Sequence, residues 1–215
     1  MKIVSVNISL PRTVDWKNHE VTTAIFKEPA EGRVMARKLD LDGDRQADLT
    51  VHGGPEKAIY GYPSGHYSFW RSELPGMNLP WGMFGENLSI EGLREEETRV
   101  GDRFRVGGAV LMATQPRIPC YKLAVKFGRD DILKRFLQSE KSGVYFSVLE
   151  EGFLQAGDAV EKIQQDEHGI TVTDVHRLYT ARRADVPLLR RAIQLPALPE
   201  GWRDYFRRKL AQVEP

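Results

Sequence analysis

The chain has little cysteine: Cys120 is the only one in 215 residues. One cysteine forms no intramolecular disulfide, which excludes a disulfide-stapled secreted scaffold and leaves a reducing cytoplasm as the expected setting. Charge of one sign is also scarce. Lys and Arg number 31 against 30 Asp and Glu, a net charge of +1, so no strong overall field points to nucleic acid or a membrane surface. Long apolar runs are missing. No stretch approaches the roughly 18 to 20 apolar residues of a membrane span. Residues 1–7, Met-Lys-Ile-Val-Ser-Val-Asn, are too interrupted by polar side chains for a secretory apolar region. His-Glu-x-x-His, paired-cysteine zinc spacing and a Gly-x-Ser-x-Gly elbow are all absent. The Gly-Lys-Ser/Thr end of a P-loop is absent too. No aromatic and basic residues interleave as in an RNA-binding sheet. Asp40, Asp42 and Asp44 lack the glutamate that would close a calcium loop, and read as a solvated turn.

What is present is ordinary for a globular protein, with 41% hydrophobic and 28% charged residues. The charge is unevenly placed. Residues 176–215 hold nine Lys/Arg and four Asp/Glu, a net +5, and the rest of the chain holds 22 and 26, a net −4. This asymmetry predicts two units, over residues 1–168 and 169–215. The first reads as many short strands, at 3–10, 21–26, 33–36, 143–149, 159–163 and 170–175. Within it, 103–106 and 109–114 form a hairpin around Gly107-Gly108. Such spacing predicts a closed or nearly closed antiparallel barrel. Helices are expected at 64–74, capped by Ser64, and at 130–139. The tail reads as three short helices, at 174–179, 185–194 and 200–212, with Trp202, Tyr205, Phe206 and Leu210 at helical spacing.

Three segments carry candidate chemistry. In Gln115-Pro116-Arg117-Ile118-Pro119-Cys120-Tyr121-Lys122, Pro119 suits the first position of a helix running to a stop at Gly128. Cys120 then falls in the first turn, with Arg117 and Lys122 as nearby cations, a setting that favours a thiolate. A buried structural cysteine, a metal ligand and a nucleophile all remain open readings. In the segment 48–63, His52, Gly53 and Gly54 end a strand and lead to Lys57. The glycines allow close backbone approach to an anion, Lys57 supplies a point charge, and a tight turn is the plainer alternative. In the segment 81–93, Asn87 holds a loop through an Asx turn or meets a heterocycle. Trp81, Met83 and Phe84 there line a site or an interface.

Taken in order, these segments resemble the MOSC domain, named after the C-terminal domain of molybdenum cofactor sulfurase. They are D-x-x-V-H-G-G-x-x-K-A-x-Y-x-Y at 48–62, G-x-F-G-E-N-L at 82–88, Val100-Gly101-Asp102, and the stretch around Cys120. The tail after about residue 170 resembles the small three-helix domain of the bacterial YiiM-type subgroup. The resemblance implies a mainly β fold with flanking helices: a MOSC-type β-barrel and a C-terminal three-helix domain. It implies a molybdenum cofactor, a pterin dithiolene with a terminal phosphate, whose metal is ligated by Cys120. His52, Gly53, Gly54, Lys57, Asn87, Arg117 and Lys122 are the expected cofactor-binding residues. The implied activity is reduction of N-hydroxylated compounds, such as 6-N-hydroxylaminopurine, to amines, with electrons from a flavin- or haem-containing partner. The segment 84–87, Phe-Gly-Glu-Asn, lacks the arginine that eukaryotic reductase members carry ahead of the Asn, so the phosphate would lean on Lys57, Arg117 or Lys122.

Two other readings compete. Cys120 as a persulfide would make the chain a sulfur carrier. A non-enzymatic binding module would use the basic tail against RNA or an acidic protein, although +5 is modest for nucleic acid. Homodimerisation is left open.

Overall fold

A computed structural model describes residues 1–47 and 53–213. The chain opens with β1 (Lys2–Ile8), the two-stranded ribbon β2 (Arg12–Trp16) and β3 (His19–Thr23), and the short β4 (Glu28–Pro29) and β5 (Val34–Ala36). After β6 (Ile59–Pro63) come α1 (His66–Glu73) and β7 (Leu88–Glu91). The hairpin β8 (Arg103–Val106) and β9 (Ala109–Pro116) leads to α2 (Tyr121–Phe127) and α3 (Asp131–Gln138). β10 (Val144–Glu150), β11 (Gly152–Leu154) and β12 (Val160–Gln164) complete the strands, and α4 (Val172–Thr180), α5 (Val186–Ile193) and α6 (Glu200–Ala211) end the chain.

The hairpin expected around Gly107-Gly108 forms, and its first glycine has two reasons to be there. Gly107 has φ +55°, and a Cβ on it would lie 2.8 Å from the Phe153 carbonyl oxygen. β8 alternates exposed and buried residues, whereas seven of the eight residues of β9 are buried. β9 is therefore a central strand covered on both faces, paired with β8 and β10.

The expected closed barrel is corrected. The main sheet has eight strands in the order β12-β8-β9-β10-β6-β7-β1-β4 and is open. All pairs are antiparallel except β6 with β7, which run parallel because α1 crosses between them. The start of β1 meets the chain at the start of β12 through the bridge Lys2 with Ala159 and through backbone hydrogen bonds between Ile3 and Asp158, Gly157 and Ile3, and Val160 and Met1, without forming a ladder. The reason lies in the edge strands. β12 leaves four of its five residues exposed and so offers no inward face to continue a wall, and β4 is two residues long. With six α-helices beside this sheet among the described residues, the fold is mixed α/β with a C-terminal three-helix bundle.

The expected strand at 170–175 is also corrected. Its β-branched run, Ile-Thr-Val-Thr, is overridden by a capping box. The Thr171 hydroxyl accepts from the Asp174 N–H at 3.0 Å, and the Asp174 carboxylate accepts from the Thr171 N–H at 2.9 Å, so α4 begins at Val172. Likewise α1 starts after Gly65, and Ser64 does not cap it.

Two apolar clusters hold these elements. One unites the sheet with the tail helices, so that Phe104, Leu111 and Phe146 share a core with Val175, Leu189, Leu198 and Phe206. The other is aromatic and packs α1, α2 and α3 beside β6. In it Tyr62 stacks on Phe84 with centroids 4.7 Å apart, and the Trp70 indole N–H donates to the Tyr62 hydroxyl at 2.7 Å. Met83 and Phe84 are buried here and Trp81 packs against them, so these side chains are core, each large side chain contributing about 1.5–3 kcal/mol by burial.

Candidate functional site

The segment after β9 sets the position of Cys120. Pro116 and Pro119 lack N–H groups and disfavour helical backbone in the residues before them, so the chain leaves the sheet extended. Cys120 keeps extended geometry, with φ −116° and ψ 169°, and stands at the N-cap of α2 with no capping hydrogen bond from its side chain. Pro119 therefore lies outside the helix, two positions before its first residue, Tyr121, whereas the sequence reading placed it at that first position. Gly128 ends α2 as expected, in the left-handed conformation, φ 66°, with its N–H directed at the Ala124 and Val125 carbonyls.

Arg117 is the central cation. It is 6% exposed, donates from Nη1 to the Phe84 carbonyl oxygen, and lies over the Tyr60 ring at 4.8 Å. Burial disfavours its charge, but Tyr60, Tyr145 and Cys120 favour it, and the net direction is upward, so it stays a guanidinium. Burial also pushes the Tyr60 and Tyr145 phenols up and keeps them protonated. The rings of these tyrosines lie 5.0 Å apart.

Arg117, Cys120 and Lys122 line a cavity of about 110 Å³ together with Gly53, Lys57 and Asn87. Six of the residues expected from the sequence are thus brought to one place. Gly54 is not on this wall. It has φ +87°, and a Cβ there would touch nothing within 4 Å, so the position needs glycine for its backbone conformation alone. His52, and the strand expected to end at it, lie outside the described residues. Asn87 forms neither an Asx turn nor a free polar contact. Its Oδ1 accepts from the Tyr60 N–H at 3.0 Å, and its Nδ2 donates to Asp44 at 2.8 Å and to the Asn7 carbonyl at 3.3 Å. It ties β6 to the wall of the cavity.

Among the lining residues that sequence reasoning missed are Lys27, Asp44, Tyr60 and Tyr145. Lys27 and Asp44 form a buried ion pair at 2.5 Å. Burial lowers the Lys27 pKa against the pull of Asp44. Asp44 also accepts from the Ser9 N–H at 2.8 Å. No local motif marks either residue; chain topology alone brings them together. Glu86, also buried, accepts from Tyr67, from the Gly82 N–H at 2.9 Å and from the Ser89 hydroxyl at 2.8 Å, and burial pushes its carboxyl up.

Cys120 also faces a second cavity, of about 570 Å³, on the side of the tail helices. Tyr179, Trp202, Tyr205 and Arg208 from α4 and α6 form its far wall. The Trp202 indole N–H donates to the Gln115 side chain at 2.5 Å and fixes α6 against β9. Cys120, Lys57, Ile118 and Tyr145 border both cavities.

The chain is covered over residues 48–161 by the MOSC domain model and over 170–213 by the YiiM-like 3-alpha helix domain model. It belongs to the MOSC domain family. Its relatives include YflK of Bacillus subtilis (strain 168), 38% identical over 99% of this chain and 96% of that one. Protein YiiM of Escherichia coli (strain K12) is 35% identical over 84% of this chain and 81% of that one. Among solved structures, YiiM from Geobacillus stearothermophilus matches with a TM-score of 0.82 at 32% identity, covering 97% of this chain and 98% of that one.

The donor set does not fit the metal chemistry that the resemblance implied. Among the described residues no group of three or more His, Cys, Asp or Glu side chains comes together to hold a metal ion. Apart from Asp44, the charged neighbours of Cys120 on the small cavity are cations, which do not ligate. The two carboxylates nearby, Asp44 and Glu86, are occupied by the contacts above. The expectations of molybdenum at Cys120, of a molybdopterin cofactor, and of a molybdenum-dependent reductase of N-hydroxylated compounds are corrected accordingly. Among the described residues no helix is long and apolar enough to cross a membrane.

Proposed function

We propose that this protein is a sulfur carrier that holds sulfane sulfur as a persulfide on Cys120. The observation that carries the reading is the position of Cys120, on the border of two cavities, one of which it lines together with the buried Arg117 guanidinium. A fixed cation beside a thiol favours the thiolate, which is the nucleophile, and favours the persulfide anion that replaces it. Two openings suit a carrier, because sulfur can arrive from one side and leave from the other. Loading is balanced without any external oxidant. The Cys120 thiolate attacks the outer sulfur of a donor persulfide, R–S–SH, the donor S–S bond breaks, a new S–S bond forms at Sγ, and R–S⁻ leaves.

The test is cyanolysis. Protein loaded with a small alkyl persulfide and treated with cyanide releases about one thiocyanate per chain, and the Cys120→Ser variant, folded by circular dichroism, releases none. Equal thiocyanate from both proteins would remove Cys120 from the reaction.

A further inference from the structure

The donor side of the carrier has a specific charge, and the inference drawn from it rests on the carrier reading. Lys122 is 9% exposed, and among the described residues it makes no hydrogen bond and no ion pair. It lines the small cavity with Cys120 and with Arg117, which also has no carboxylate partner among the described residues. Lys27, the third buried cation on this wall, is already neutralised by Asp44. A buried ammonium without a counter-charge is strongly unfavourable, so this wall is built for an anion. Lys122 and Arg117, with Lys57 and Arg45 also on this wall, leave it with an excess of positive charge that suits an anion, the volume of about 110 Å³ favours a small one, and the bordering nucleophile is a thiol.

We propose that the sulfur donor is thiosulfate, its sulfonate end held by Lys122 and Arg117 and its outer sulfur presented to Cys120. The Cys120 thiolate attacks the outer sulfur, and an S–S bond forms at Sγ. The S–S bond inside thiosulfate breaks, and sulfite leaves with the bonding electron pair: Cys–S⁻ + S–SO3²⁻ gives Cys–S–S⁻ + SO3²⁻. The sulfur moves as a neutral atom, so no oxidant or reductant is required. The same two cations hold the departing sulfite, whose developing charge they stabilise.

Reduced full-length protein is mixed at low ionic strength with sodium thiosulfate, and in parallel with tert-butyl persulfide, a donor that carries no oxyanion. Released sulfite and the mass of the Cys120 peptide are read. The expected result is about one sulfite per chain together with one added sulfur on Cys120. In Lys122→Met, loading from thiosulfate falls at least tenfold more than loading from tert-butyl persulfide, and thermal unfolding verifies that the variant is folded. Loading from tert-butyl persulfide without loading from thiosulfate overturns this inference and leaves the carrier reading intact. So does an equal effect of Lys122→Met on both donors. Loading from neither donor overturns the carrier reading and this inference together.

Discussion

Lys122 is a buried cation of the site that no hydrogen bond or ion pair offsets among the described residues. Its ammonium is buried beside Arg117 with no carboxylate to offset either charge among the described residues. In anion-free, low-salt buffer, Lys122→Met therefore stabilises the protein by about 1–3 kcal/mol, since an apolar side chain of similar length replaces an uncompensated buried charge. Urea unfolding of both proteins reads this as a rise in midpoint at unchanged slope, and a lowered midpoint would show that Lys122 contributes to the fold. Part of this site was legible in the sequence. Arg117, Cys120 and Lys122 fall within six consecutive residues, with Pro116 just before them and Pro119 among them, and local chemistry sufficed to single them out. Lys27, Asp44, Tyr60 and Tyr145 were not legible. Each comes from a different part of the chain, and their meeting depends on which strands become neighbours, which no short window of sequence records.

At the scale of elements, α4 shows how local signals compete. The β-branched start of this segment reads as a strand, yet the reciprocal Thr171–Asp174 hydrogen bonds convert it to a helix N-terminus. That start aims His176 into the interior. Its Nε2 lies 3.0 Å from the Leu137 carbonyl oxygen, which can only accept, so Nε2 carries the proton. Nδ1 is buried without a partner. Burial lowers the His176 pKa below its ordinary 6.5, with the Leu137 carbonyl, Glu140 and Glu95 pulling the other way. The unfolded chain thus takes up a proton near pH 6.5 that the native state refuses. Stability is complete above that pH and falls as pH drops below it, by at most about 1.4 kcal/mol per pH unit, until the lower native pKa is passed. His176→Gln, which keeps a donor toward Leu137, flattens the dependence between pH 7 and 5. An unchanged slope in this variant, measured by chemical denaturation, would assign the acid sensitivity to other groups. Elsewhere the element boundaries followed their signals well: the Gly107-Gly108 hairpin, the Gly128 stop and three tail helices are all present.

For the whole molecule, the main departure from the sequence reading is an open sheet where a closed barrel was expected. Alternation within strands was readable, but closure depends on whether the edges pair, and β12 and β4 are too exposed or too short for that. The tail bundle was readable as helices, and its amphipathic stripes do enter a core. That core is shared with the sheet. Seating α6 against β9 creates the larger cavity and places aromatic side chains opposite Cys120. Function in this account belongs to the junction: a small cationic cavity on one side, an aromatic one on the other, and a single thiol between them. The most direct test is the mass of the Cys120-containing peptide from protein purified without reductant. Sulfur carriage by Cys120 predicts a species heavier by one sulfur atom, removed by mild reduction and absent from Cys120→Ser. An unmodified peptide that also fails to gain sulfur from an alkyl persulfide would contradict it.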